Sequence, residues 1–309
     1  MPWNTAFELT DLQVAPHVNL RVRIPKVFRS DCSTLLLLHG FPQTHLMWRR
    51  VAERLQAHFN LVMPDLRGYG DSSKPQSPTD HSLSNPTHEA YSKRQMALDL
   101  VELMNQLGVP QFTVAGHDRG GRVAHRLALD HPAKVRKLCV LDIAPTLDMY
   151  QATDFAFAKA YYHWFHLIQP APLPETMING DPVPYLHTKL AGWGGTLSAY
   201  TPEALQDYER CIRNPATVHA MCEDYRASAT IDLEHDRTSR ASGNKVQCDL
   251  HVLWGERGVV HRLFQPLALW QAQCAGQVSG RALPSGHFIP EELPDEVARE
   301  LLGFFGAGT

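Results

Sequence analysis

The sequence predicts an α/β fold, a mostly parallel sheet with helices on both faces that is interrupted once by a helical cap. Three observations predict it. Short apolar, β-rich runs alternate with longer stretches of helical period. The strand pattern stops after Asp142 and resumes near Leu250. Between them lies a helical stretch rich in aromatics, including Tyr161, Tyr162, Trp164, Trp193 and Tyr225, with no convincing buried strand.

Residues 17–24 alternate as an edge strand does. Residues 34–38 form a buried strand running into His39 Gly40 Phe41 Pro42, and residues 60–63 form the next, ending in Pro64 Asp65 Leu66 Arg67 Gly68 Tyr69 Gly70. Both loops fall at the sheet's carboxyl edge, where such folds bind ligands. Residues 72–86, rich in Ser and Pro, read as an exposed loop without a catalytic pattern. Residues 89–107 repeat Met96, Leu100, Leu103 and Leu107 at helical spacing and stop at Gly108. The strand at 112–115 delivers Asp118, and the strand at 138–141 ends at Asp142. Further strands are expected at 250–254 and near 277–283. The expected division is a core of residues 1–146 and 246–309 with a cap of residues 147–245.

A chain of 309 residues can bury one such core with an inserted lid. Its 29 basic and 32 acidic residues give a formal charge of −3 with no basic block, so neither nucleic acid nor a membrane surface is an expected partner. A small molecule is. The six cysteines lie far apart without a C-x-x-C pair and read as reduced thiols, several of them buried. Met1 Pro2 Trp3 Asn4 Thr5 does not resemble a signal sequence, and no apolar run approaches the ~20 residues of a membrane span, so the expected location is cytoplasmic.

The run Val114 Ala115 Gly116 His117 Asp118 Arg119 Gly120 Gly121 has the small-X-nucleophile-X-small spacing of a nucleophile elbow, with a carboxylate where an esterase carries serine. A carboxylate can attack a saturated carbon and leave an alkyl ester of the enzyme, so the expected electrophile is an alkyl carbon. Hydrolysing that ester takes a base. Among 17 histidines, His287 stands after the last strand between Gly286 and Phe288, where chain order puts the base of such a constellation. The acid that orients it would usually stand at Gly258, which cannot serve; Asp142 is therefore the expected acid, with Glu256 a weaker candidate. Asp142 also reads as a turn cap ahead of Ala144 Pro145.

Arg119 and Arg122 open the helix after the elbow on one face, a site for a substrate carboxylate beside a helix N-terminus. Arg122 alone would also pass as a surface arginine. The backbone N–H groups of Arg119 and Phe41 are the expected oxyanion donors. No H-E-x-x-H or zinc spacing is present, so neither metal nor cofactor is expected.

These residues carry a resemblance. From about residue 15 onward the chain resembles the α/β-hydrolase fold, which implies an eight-stranded sheet, and within it looks like a fluoroacetate (haloacetate) dehalogenase. The first two supporting runs, His39 Gly40 Phe41 Pro42 and Asp65 to Gly70, mark only the fold; Gly286 His287 Phe288 supports it too, and Asp118 followed by Arg119 in Gly116 to Gly120, the acid of Leu141 Asp142 Ile143 and the His163 Trp164 pair of Tyr162 His163 Trp164 Phe165 are more specific. The resemblance implies that Asp118 displaces halide from the α-carbon of a short halogenated acid. It also implies a halide pocket of His163, Trp164 and Tyr225, with Trp193 lining the cavity. Many relatives pair as homodimers, though no oligomer signal is legible here.

Three other readings compete. An epoxide hydrolase would use the same triad with two cap tyrosines, for which Tyr162 and Tyr225 stand available, but an epoxide has no carboxylate for Arg119 and Arg122. A haloalkane dehalogenase would place tryptophan where Arg119 stands. A receptor that binds a small acid without turnover would have no use for His287 and Asp142 together.

Overall fold

A computed structural model of the chain describes residues 3–76 and 88–306. Eight strands form one sheet in the order β1-β2-β4-β3-β5-β6-β7-β8. They are β1 (Phe7–Ala15), β2 (Val18–Pro25), β3 (Thr34–Leu38), β4 (Asn60–Pro64), β5 (Phe112–His117), β6 (Val135–Leu141), β7 (Asp249–Gly255) and β8 (Val278–Leu283). β1 pairs antiparallel with β2, and β2 with β4; every later pairing is parallel.

The central strands are apolar on both faces because helices cover both. Leu35 to Leu38, Val62, Val114, Val140 and Val252 are all fully buried. Each such side chain stabilises the fold by roughly 1.5–3 kcal/mol, which pins the register and with it the strand ends. Those ends position the site: Phe41 follows β3, Asp118 follows β5, Asp142 follows β6, and His287 follows β8.

β1 was not expected. Only Phe7 and Val14 along it are buried, an odd number of positions apart, so the sequence shows no clean alternation there. The expected helix over 89–107 is a 3-10 turn (Glu89–Tyr91) followed by the helix Lys93–Gln106, because the Ser92 side chain caps the second by accepting from the Gln95 N–H at 3.1 Å. Gly108, at φ +69°, ends it as anticipated.

The loop expected over 72–86 lies outside the described residues from 77 onward. Its first residue is not exposed: Ser72 is buried, donates to the Asp65 carbonyl at 2.6 Å and accepts from the Arg21 N–H at 2.9 Å. Between β6 and β7 the chain runs through helices from Thr146–Gln151 to Ile231–Ala241. This helical insertion stands where the sequence predicts a cap. All six cysteines are free, and no helix among the described residues is long and apolar enough to cross a membrane.

Candidate active site

The glycines of the elbow are set by close approach. A Cβ on Gly116 would stand 2.5 Å from the Gly120 carbonyl oxygen, and one on Gly120 only 2.3 Å from that of His39. The turn they permit holds Asp118 at φ +47°, ψ −116°, a backbone conformation that a non-glycine residue adopts only under constraint. It lifts the carboxylate to the head of the helix Arg119–Asp130.

Phe41 donates its N–H to Asp118 Oδ1 at 3.0 Å. The second expected donor, the Arg119 N–H, makes no hydrogen bond to that carboxylate. Burial alone would raise the Asp118 pKa, but the charges of His287, Arg119 and Arg122 outweigh it and hold the carboxyl below its ordinary value. The Asp118 carboxylate is ionised and desolvated.

His287 Nε2 lies 3.9 Å from Asp118 Oδ2, and His287 Nδ1 lies 2.5 Å from Asp142 Oδ2. The ring is fixed on several sides. Its backbone N–H donates to the Trp193 carbonyl at 3.1 Å, its carbonyl pairs with His117 Nε2 at 2.8 Å, and the Trp193 indole meets it edge-on at 5.2 Å. Burial pushes its pKa down, yet the hydrogen bond and charge of Asp142, then the charge of Asp118, leave it raised.

Asp142 Oδ1 accepts from the Gly255 N–H at 2.9 Å. A Cβ on Gly258 would sit 3.3 Å from both Asp142 oxygens, so the acid from β6 occupies the space beside the position where an acid from β7 would project. Glu256 is exposed and takes no part.

Both arginines are buried, so the surface reading of Arg122 does not hold. Arg119 donates from Nε to Asp224 Oδ2 at 3.0 Å and from Nη2 to Asp224 Oδ1 at 2.6 Å. Its guanidinium carbon lies 4.2 Å from the centre of the Tyr225 ring. Arg122 donates from Nη1 to the Ala144 carbonyl at 3.2 Å and to Thr146 Oγ1 at 2.9 Å, and packs 4.7 Å from the Trp164 ring.

The cap residues converge on these arginines. His163 lies 5.6 Å from Tyr225 and 4.6 Å from Trp193 between ring centres, and Tyr225 lies 5.3 Å from Phe41. Burial, with Lys189 and His287 nearby, keeps His163 neutral by pushing its pKa well down. Trp193, at φ +53°, turns its indole N–H to the Ala160 carbonyl at 3.3 Å. Tyr162 is half exposed under the Lys189 ammonium, 3.8 Å from its ring, which removes it from any tyrosine pair facing Asp118.

Five buried polar atoms in this cluster have no protein partner: Arg119 Nη1, Arg122 Nε, Tyr150 Oη, His163 Nδ1 and Tyr225 Oη. Leaving so many unpaired away from water is costly unless a polar ligand satisfies them. Arg119 Nη1 and Arg122 Nε suit an anion. No group of three or more His, Cys, Asp or Glu among the described residues is arranged to hold a metal ion.

Sequence reasoning missed Tyr150, Tyr161 and Asp224. Tyr150 packs 4.8 Å from Trp164, and Tyr161 packs 5.2 Å from His163. An aromatic-rich cap was the signal for the first two. Asp224 had none, since its partner Arg119 is 105 residues away.

An elbow that presents a carboxylate to a histidine and its acid at the carboxyl edge of this sheet defines a hydrolase, and the comparisons agree. The family model for the alpha/beta hydrolase fold matches residues 33–292. The chain is 46% identical over 271 residues to a fluoroacetate dehalogenase from Burkholderia sp, covering 87% of this chain and 86% of that one. It is 32% identical over 277 residues to a soluble epoxide hydrolase from Corynebacterium sp. (strain C12), covering 88% and 89%. A crystal structure from Nostoc sp PCC 7120, described as an alpha/beta hydrolase, superposes with a TM-score of 0.91 at 50% identity, covering 98% of this chain and 99% of that one. The chain belongs to the α/β hydrolase fold family and, within it, to the dehalogenase family represented by the Burkholderia enzyme.

Proposed function

We propose that the protein is a hydrolytic dehalogenase of short 2-haloacids, converting a haloacetate to glycolate and halide. The observation that carries this reading is the pair of unpartnered guanidinium nitrogens, Arg119 Nη1 and Arg122 Nε, buried beside an ionised Asp118. They fit a substrate carboxylate, and the α-carbon it carries then faces the nucleophile.

Asp118 forms a C–O bond to that carbon as the C–halogen bond breaks, and the electron pair leaves with the halide. His163, Trp164 and Tyr225 donate hydrogen bonds to the departing ion, and Trp193 walls the cavity. The donors replace hydration that the halide would otherwise regain only in water. Ester formation discharges Asp118 and so removes one charge that raises the His287 pKa, which favours neutral imidazole when a base is needed. His287, oriented by Asp142, takes a proton from water as the oxygen attacks the ester carbonyl. The Phe41 N–H stabilises the oxyanion; on collapse the His287 imidazolium returns its proton to the departing glycolate oxygen, and loss of the remaining carboxyl proton to solvent restores ionised Asp118. Residues 147–245 act as the cap and the rest as the core.

The test is fluoride and chloride release from fluoroacetate and chloroacetate, run beside diol formation from an epoxide. Halide release from either acid is expected. Diol formation with no halide from either acid would overturn the reading in favour of an epoxide hydrolase.

A further inference from the structure

We infer that Asp224 is the positioning residue for Arg119, and that the cation which selects an anionic substrate is Arg122. This rests on the haloacid reading and divides the labour between its two arginines.

Arg119 is committed. Its Nε and Nη2 fork onto the Asp224 carboxylate, and Nη2 also reaches the Asp224 carbonyl at 2.9 Å and Ser228 Oγ, so Nη1 alone is left to meet a ligand. Asp224 comes from the cap helix Pro215–Ala229, while Arg119 opens the core helix behind Asp118. The fork thus fixes the direction of the remaining donor from across the domain boundary.

Asp224 is itself held by Tyr69, whose hydroxyl donates to Oδ2 at 2.6 Å, and by the Lys93 ammonium, which also lies 3.4 Å from Asp232 Oδ2. Two cations and two carboxylates cancel. Arg119 is therefore an oriented donor inside a neutral cluster. Arg122 is different: its partners are the Ala144 carbonyl, the Thr146 hydroxyl, the Met149 sulfur and the Trp164 ring, none of them charged. Among the described residues no carboxylate forms an ion pair with it, and Asp118 is the anion whose charge it feels. When Asp118 becomes a neutral ester, the substrate carboxylate is the remaining counter-charge.

Calorimetry with acetate and its uncharged isostere acetamide, together with chloride release from chloroacetate, tests this. Arg122→Gln is expected to weaken acetate by roughly 10–100-fold while leaving acetamide within about threefold. Asp224→Asn, which leaves the Arg119 cluster with one net positive charge, is expected to bind acetate at least as well as wild type yet lower kcat on chloroacetate by roughly 10–100-fold, because the acid binds with its α-carbon misaligned. Tyr69→Phe, a milder change, should lower kcat in the same direction and guards against an Asn variant that does not fold. Acetate affinity unchanged in Arg122→Gln, or Asp224→Asn and Tyr69→Phe that lose only thermal stability with kcat and KM intact, would overturn the inference. Wild-type protein that binds acetate in this pattern and releases no halide would overturn the haloacid reading and support the division of roles.

Discussion

On the proposed mechanism, Asp142→Asn isolates the charge behind His287. Asp142 Oδ2 lies 2.5 Å from His287 Nδ1, and only 1% of Asp142 and 2% of His287 is exposed. Asn keeps the shape and removes the charge that faces the imidazolium formed as His287 takes a proton from water. For unit charges about 4 Å apart at an effective dielectric of about 20, the loss is about 4 kcal/mol, or about 10³-fold in rate. It falls on ester hydrolysis alone, because attack by Asp118 uses no base. Rapid mixing with chloroacetate should therefore give a burst of one chloride per enzyme, then turnover about 10³-fold slower. Adding Gly258→Asp supplies a second arm. Position 258 has φ −76°, which suits any L-residue, and its Cβ would face both oxygens of residue 142 at 3.3 Å, with the Gly255 carbonyl its tightest neighbour at 3.1 Å. A carboxylate there should recover about tenfold or more of the lost rate. Wild-type turnover in Asp142→Asn, or loss of burst and turnover together, would refute the assignment.

Four further outcomes are expected. His287→Asn should accumulate the alkyl ester on Asp118, and wild-type enzyme taken through one turnover in heavy-oxygen water should carry the label in that side chain; label found only in the product would mean direct attack by water. Because His287 must be neutral to act, kcat should fall as pH drops through its raised pKa, and Asp142→Asn should move that acid limb to lower pH; an unmoved limb would assign it to another group. Burial pushes Glu291, which accepts from the Tyr208 hydroxyl at 2.6 Å, up to about 8 from an ordinary 4.5. Its folded pKa is raised, so its stability contribution is full below 4.5 and declines as pH rises through about 8. Glu291→Gln should flatten the fall of Tm over that interval, and parallel Tm profiles would refute the assignment.

The parts of this molecule that were legible in its sequence obey local rules. Buried runs such as Leu35 to Leu38 announce strands, and Gly116 and Gly120 announce the elbow because no other residue fits where backbone meets backbone. Chain order points to His287, and an absent side chain at Gly258 to Asp142; the structure brings His287 beside Asp118 and sets Asp142 against the far nitrogen of that histidine. What escaped was set by contacts across the fold. β1 is an edge strand whose burial is confined to its ends. Asp224 looks like any acid on a helix until the cap sets it against Arg119. Tyr162 and Tyr161 are adjacent in sequence, and only packing shows that the second is buried and the first half exposed.

The pairing of Arg119 with Asp224 makes the cap and core matched components. Exchanging the cap for one from another hydrolase would import new leaving-group contacts, but if the incoming helix lacked an acid at that point it would bury a guanidinium without its counter-ion. Breaking a buried pair in that way costs about 3–5 kcal/mol, a large share of what holds a domain of this kind folded. Such a chimera would fail first as a poorly expressed protein, and its substrate range would become measurable only once the acid was grafted along with the pocket.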